Sequence, residues 1–181
     1  MELYDTELRI HEVGLSQSPD VFCGQDNLRL ECLYACFNAA KGWVDVFLSI
    51  PPVQYVGFST PTYVSLMHWF VSVYRLSTFE HPEWDRGFVR QNLDLSSALE
   101  TTERNFLQVK EVAGLDPNGS DDLDTFSIMA SKARVIRMWW EATAGSTSNS
   151  VGEAPSEGMN DIPMDFLDDS WLRDVLGPWN E

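Results

Sequence analysis

The stretch that decides the fold is TPTYVSLMHWFVSVYRLS, residues 60–77. Its large apolar residues recur every three or four positions, and apart from one histidine no ionisable basic or acidic residue interrupts them before Arg75. A helix that is apolar around nearly its whole circumference is buried, so the pattern predicts a helix at the centre of the core. Pro61 suits the first turn of this helix, where its missing N–H costs nothing. Phe70 and Tyr74 are predicted to be among the most buried aromatic residues.

Four other segments of the chain show the same helical periodicity. Two precede the central stretch, over residues 2–13 and from Gly24 to the paired prolines that begin at Pro51. Of the two that follow it, the first is predicted as one long helix over residues 85–114. No segment shows a strand pattern of comparable strength. The predicted fold is therefore all-α, a bundle of about five helices without a sheet, and the helices are centred near residues 8, 37, 68, 100 and 132.

The charge of the chain disfavours two classes of partner. Its formal net charge is −16, so it repels nucleic-acid phosphates and anionic lipid surfaces, and direct binding to either is not expected. The one short basic cluster, Lys132, Arg134 and Arg137, is interpreted as a solvated helix face or a source of internal salt bridges. No apolar run reaches the ~18 residues of a membrane-spanning helix. The charged start, MELYDTELRIHEVG, does not resemble a signal peptide.

The residue types that carry catalysis and metal binding are scattered along the chain. No phosphate-binding glycine loop, nucleophile elbow or zinc-protease motif occurs. His68 falls in the apolar central stretch, and Cys32 and Cys36 fall in the apolar stripe of the second helix, so packing in or beside the core is the favoured interpretation. No catalytic residue, cofactor or metal ligand is predicted, and the chain is not expected to be an enzyme. Three cysteines, an odd number, favour a reducing compartment, the cytosol or the nucleus.

The composition of the chain changes at Gly145. The stretch that begins there, GSTSNSVGEAPSEG, is rich in serine, glycine, glutamate and proline, which is typical of a flexible linker. We therefore expect an all-α regulatory domain over residues 1–144, a linker over residues 145–163 and a separate segment over residues 164–181. Residues 145–181 hold eight acidic residues and one basic residue, a net charge of −7.

The last segment alternates large apolar residues with aspartates, in PMDFLDDSWLRDVLGPW, residues 163–179. In a helix, Met164, Leu167, Trp171 and Val175 fall in one row, the pattern of a helix that lays its apolar face into a groove. The groove can belong to another protein or to the chain's own bundle, and both interpretations stay open. The candidate partner-binding residues are Phe166, Leu167, Trp171, Leu172, Val175, Leu176 and Trp179.

Three stretches of the chain together resemble a known family. They are ECLYACFNAAKGWVDVFLSIPP (31–52), STPTYVSLMHWFVSVYRLSTFEHPEWDRGFVRQNLDLSSALE (59–100) and LDDSWLRDVLGPWNE (167–181). In this order they resemble the fungal-specific transcription factor domain, the regulatory region of binuclear zinc-cluster transcription factors. The resemblance implies transcription regulation in the nucleus and an acidic, Trp-containing activation segment that binds a transcriptional coactivator. It also allows a small-molecule effector as a partner.

The zinc cluster of that family has no counterpart in this sequence. The family uses six closely spaced cysteines with basic flanks, whereas Cys23, Cys32 and Cys36 lack that spacing and that flank. The resemblance therefore implies the regulatory portion only, either as a fragment of a longer factor or as a relative without the DNA-binding part. No zinc-binding or DNA-contacting residue is carried over. The alternative function is an α-helical protein-interaction module unrelated to transcription.

Overall fold

A computed structural model describes residues 1–16, 22, 24–115 and 124–145 of the chain. These residues form α-helices and two 3₁₀ helices and contain no strand, which confirms the all-α fold. In chain order the elements are α1 (Glu2–His11), η1 (Glu12–Leu15, 3₁₀), α2 (Asp26–Ser49), η2 (Pro52–Gly57, 3₁₀), α3 (Thr60–Thr78), α4 (Arg86–Asn92), α5 (Leu95–Val112) and α6 (Thr125–Gly145). Residues 1–140 form one compact unit, and of the residues that follow only 141–145, the end of α6, are described.

The prediction of a central helix over residues 60–77 is confirmed by α3. The Trp69 indole is fully buried, stacks on Trp43 of α2 at a ring-centroid distance of 5.9 Å, and donates its N–H to the Ala40 carbonyl oxygen at 2.7 Å. Phe70 is also buried, as predicted. Because the buried indole N–H finds its acceptor on the neighbouring helix, this hydrogen bond sets the register of α2 against α3.

The predicted deep burial of Tyr74 is wrong. This side chain is only half-buried, and its ring lies beside Trp139 and Trp140 of α6, at centroid distances of 4.9 and 6.0 Å. A phenol carries a polar hydroxyl, so an edge position keeps that group partly hydrated while the ring still packs. The apolar stripe of α3 identifies the buried side of the helix, but Trp69, Val73 and Leu76 take the most deeply buried places on it.

The prediction of one long helix over residues 85–114 is also wrong. The chain breaks at Leu93 and Asp94 and forms α4 and α5 instead. The Asp94 carboxylate accepts a hydrogen bond from the Ser97 backbone N–H at 3.0 Å, which caps the start of the new helix. Leu93 has a non-helical ψ of 88°, and both it and Leu95 are buried. The break thus lets two leucines that lie two positions apart enter the same core.

The two prolines end α2 as predicted, and the segment that follows contributes to the core. Tyr55 of η2 is fully buried and its ring lies 5.1 Å from that of Phe106 on α5. Its hydroxyl oxygen accepts a hydrogen bond from the Asn105 side-chain amide at 3.1 Å. A short 3₁₀ helix therefore fills the space between the end of α2 and α5.

The N-terminal helix approaches α2 very closely at two glycines. A Cβ atom on Gly42 would lie 2.5 Å from the ring of Tyr4, and one on Gly14 would lie 2.9 Å from the Cβ of Cys32. Both distances are too short for a real side chain. A larger residue at position 42 would displace the Tyr4 ring, and one at position 14 would push η1 away from the α2 backbone. Leu8 and Leu15 are fully buried beneath this contact.

Candidate functional site

One carboxylate, that of Glu12 at the start of η1, joins the N-terminal segment to α3. Its Oε2 atom lies 2.7 Å from Nε2 of His68, and its Oε1 atom lies 2.5 Å from Nη1 of Arg75. Arg75 also donates a hydrogen bond from Nη2 to the Leu15 carbonyl oxygen at 3.1 Å. We call Glu12, His68 and Arg75 the Glu12 cluster. Each of the three side chains is only about a fifth exposed, between 18% and 21%.

The environment of Glu12 favours its ionised form. Burial by itself would raise the pKa of this carboxyl group, but the hydrogen bond and charge of His68, with those of Arg75, outweigh the burial and lower the pKa below its ordinary value. The negative charge is therefore kept at neutral pH and joins the 3₁₀ helix η1 to α3. This is a structural use of charge, because both carboxylate oxygens are already engaged.

The cysteine beside this cluster is not an activated nucleophile. Burial raises the pKa of the Cys36 thiol to about 12, and the negative charge of Glu12 adds to that effect while Arg75 opposes it. A catalytic cysteine needs the opposite shift, because its thiolate is the reactive form. The combination of cysteine, histidine and glutamate therefore does not act as a hydrolase triad. Cys36 is fully buried and His68 lies at the edge of the core, as predicted for both.

A second carboxylate, that of Glu103 on α5, holds two arginines of α6. Arg134 donates from Nε to Oε1 at 2.7 Å, and Arg137 donates from Nη2 to Oε2 at 3.2 Å. We call these three residues the Glu103 cluster. The Glu103 side chain is 11% exposed, whereas Arg134 is 54% and Arg137 26% exposed. Two of the three basic residues near position 134 thus form internal salt bridges, as one of the predicted interpretations required.

Two further properties of the described residues bear on function. Over residues 1–16, 22, 24–115 and 124–145, no three His, Cys, Asp or Glu side chains are grouped as metal ligands. No helix in these ranges has the length and hydropathy needed to cross a membrane.

The predicted partner-binding residues all fall outside the described part of the chain, so their role stays a prediction. They are Phe166, Leu167, Trp171, Leu172, Val175, Leu176 and Trp179. Neither Glu12 nor Glu103 was predicted from the sequence. The only available signal was Arg75, the first charged residue at the end of an apolar helix. A charged residue at the edge of the core is expected to pair with an acidic residue, but nothing in the sequence indicates which one.

Comparisons with known proteins give the family of the chain. The family model ATEG07667_C, described as a C-terminal domain, matches residues 52–181. The chain belongs to this family. The match includes η2, α3, α4, α5 and α6, and it extends over the acidic and aromatic segment at residues 164–181.

Two curated relatives are both named as transcription factors. The chain is 32% identical to Transcription factor opdL of Penicillium oxalicum, in an alignment over 97% of the chain, and 25% identical to a transcription factor of Aspergillus terreus, over 82% of the chain. The chain spans only 32% and 28% of the length of these relatives, or about a third. No solved structure matches the chain.

Proposed function

We propose that this chain is the regulatory and activation portion of a nuclear transcription regulator of the fungal zinc-cluster type. The observation that carries the proposal is the alignment of 97% of the chain with a protein named as a transcription factor. The all-α body and the family resemblance of residues 59–100 support it. The relatives are about three times as long as the chain, and the proposal assigns no zinc-binding or DNA-contacting residue to the chain.

The segment over residues 164–181 is the proposed activation element. Its aspartates keep the apolar side chains hydrated until the groove of a transcriptional coactivator accepts them as a helix. Ordering a segment on binding costs conformational entropy, so the affinity is modest and the interaction reversible. Trp171 and Leu172 are the proposed anchors, because a Trp side chain that fills a desolvated pocket is a typical binding hot spot.

A tethering experiment tests this element. Residues 145–181 are fused to a foreign DNA-binding domain, and transcription of a reporter gene is measured at matched protein levels. The fusion should activate the reporter, and Trp171→Ala should reduce activation by about tenfold or more, the effect of losing a hot spot. Asp168→Asn is the control, with a small effect, because exposed acids mainly tune hydration and encounter rate.

Two outcomes of further measurements would contradict parts of the proposal. If the fusion is silent, and the body without residues 146–181 unfolds at a lower urea concentration than the full chain, then the segment docks on the chain's own bundle. If the purified chain holds stoichiometric zinc, or shifts DNA in a gel at low salt, then the prediction that this chain binds neither zinc nor DNA by itself is wrong.

A further inference from the structure

The end of α2, the 3₁₀ helix η2, the start of α3 and the second half of α5 meet in a cluster of aromatic side chains. The Tyr55 ring lies 5.5 Å from that of Phe47 and 5.1 Å from that of Phe106, measured between centroids. The Tyr63 ring lies 6.1 Å from those of both Phe58 and Phe106. These contacts bring four separate elements of the body together in one place.

Large aliphatic side chains next to these rings are exposed. Each of them lies one or two positions in sequence from a ring of the cluster and is between 36% and 55% exposed, and they are Val46, Val53, Val56, Val64 and Leu107. We call these five residues the η2 surface. Single exposed apolar residues are ordinary on a protein, whereas a group of them in one place marks an interaction surface.

The sequence around this surface carries no charge. Residues 46–67, which include four of the five residues, contain no Asp, Glu, Lys, Arg or His, although Asp, Glu, Lys and Arg make up 22% of the chain. Asp45 precedes Val46, and Arg104 lies one helical turn before Leu107, and both charged residues are exposed. The η2 surface is thus an apolar patch next to charged residues, which is the arrangement that protein–protein interfaces show.

The charge of the chain favours a second copy of itself as the occupant of this surface. At a net charge of −16, two copies repel each other over most directions of approach. The repulsion is smallest where the contact itself brings no charged residues together, and the η2 surface provides such a contact. A two-fold dimer uses the same surface on both copies, so one self-complementary apolar patch is sufficient to form it.

We propose that the chain forms a two-fold dimer through the η2 surface, in which the exposed aliphatic side chains of one copy pack against those of the other. Four of the five residues are valines, whose χ1 rotation is already restricted, so little side-chain entropy is lost on association. The aliphatic area is small, and the dimer is therefore weak and forms at micromolar chain concentrations. This dimer goes beyond the function proposed above and does not depend on it.

Sedimentation equilibrium of the full chain tests the dimer, at chain concentrations from about 5 to about 200 µM. The weight-average mass should rise with concentration from 20.6 kDa toward twice that value. The Kd of the dimer should fall by about threefold or more when NaCl is raised from about 0.05 to about 0.5 M, because salt screens the repulsion between the two acidic copies. A contact between opposite charges would instead weaken in salt.

Two variants introduce a charge into the contact. Val56→Glu and Val64→Glu should each raise the Kd by about tenfold or more, because each dimer then has to bring two additional carboxylates into its apolar interface. Both side chains are about half exposed, so we expect the fold to stay intact, which circular dichroism checks. Ile10→Glu is the matched control. It adds the same charge at an exposed aliphatic position on α1, outside the η2 surface, and should change the Kd by less than about twofold.

Three results would overturn the proposal. The first is a monomer at every concentration and at both salt concentrations, which would leave the η2 surface to another part of a longer protein or to a different partner. The second is an association that weakens in salt. The third is a Kd that Ile10→Glu raises as much as Val56→Glu and Val64→Glu do, or that neither of these two variants changes.

Discussion

The Glu12 and Glu103 clusters have the same charge pattern but different partners. In each, one buried carboxylate holds two basic side chains from a distant part of the chain. Glu12 contacts one histidine and one arginine, all about a fifth exposed, and fastens a short segment. Glu103 contacts two arginines, one of them more than half exposed, and joins two long helices.

From this difference we expect the contribution of each cluster to stability to depend on the burial of the partners as much as on the burial of the carboxylate. Glu103 is the more deeply buried acid, yet water screens its contact with Arg134. The Glu12 cluster is shielded on all three sides, so its charges interact more strongly and leave more unpaired charge when one is removed. Arginine keeps its charge at any ordinary pH, so both partners of Glu103 are permanently charged.

Removal of a core aromatic side chain should have the largest effect on the free energy of unfolding. The effects of the two clusters can be compared with it. Trp69→Ala removes a fully buried indole and its hydrogen bond to α2. We expect a loss of about 3–5 kcal/mol in the free energy of unfolding, and a similar loss for Phe70→Ala. Urea unfolding followed by far-ultraviolet circular dichroism measures both. A loss below about 1 kcal/mol for either variant would mean that α3 is peripheral.

The Glu12→Gln variant should show the second-largest loss in the free energy of unfolding. It leaves Arg75 and His68 without their carboxylate while they remain four-fifths buried. A hydrogen bond to a charged group contributes about 1.5–3 kcal/mol, so we expect a loss of about 2–3 kcal/mol. The same urea titration measures it, with Glu7→Gln as a control on the same segment. Equal stability of Glu12→Gln and the control would show that the cluster contributes nothing.

The Glu103→Gln variant should cost less, although Glu103 is the more buried acid. Since Arg134 is more than half exposed and can be hydrated, we expect a loss of about 1–2 kcal/mol. A larger loss than that of Glu12→Gln in the same urea titration would reverse the ranking. The burial of the carboxylate alone would then decide the strength of these clusters.

The smallest effect should be the change with pH in the contribution of Glu12 to the free energy of unfolding. The fold lowers the pKa of this carboxyl group, so its contribution is complete above the pKa of the unfolded chain and is lost as the pH falls through the lower, folded pKa. The difference in unfolding free energy between wild type and Glu12→Gln should therefore be constant from about pH 6 to 5 and shrink by about 1 kcal/mol toward pH 3. A difference that grows in acid would contradict the lowered pKa.

The sequence predicts the helices well wherever burial follows a local period. The stripe of α3 and the prolines after α2 depend on neighbouring residues only, and both predictions are confirmed. The break at Asp94 could not be predicted in this way. The apolar stripe keeps its helical period on both sides of Asp94, and only the capping side chain of this residue marks the start of a new helix. Tyr74 shows the related limit that a period identifies a face but does not rank depth along it.

The polar clusters could not be predicted, because they depend on pairings across the fold. Glu12 lies 56 residues from His68 and 63 from Arg75 in the chain. In a chain with 28 acidic residues, no local feature separates the few that are buried from the many that are hydrated. Glu12 is brought to His68 and Arg75 only by the packing of η1 against α3 in the folded chain.

The division of labour between the helical body and the C-terminal segment is the central claim, and one comparison tests it most directly. The full chain and a chain that ends at residue 145 are each fused to the same foreign DNA-binding domain, and reporter transcription is measured at equal protein levels. We predict that the full chain activates the reporter and that the shortened chain is silent while its circular dichroism shows the helices intact. Equal activation by both fusions would contradict the claim, because activation would then lie in the helical body.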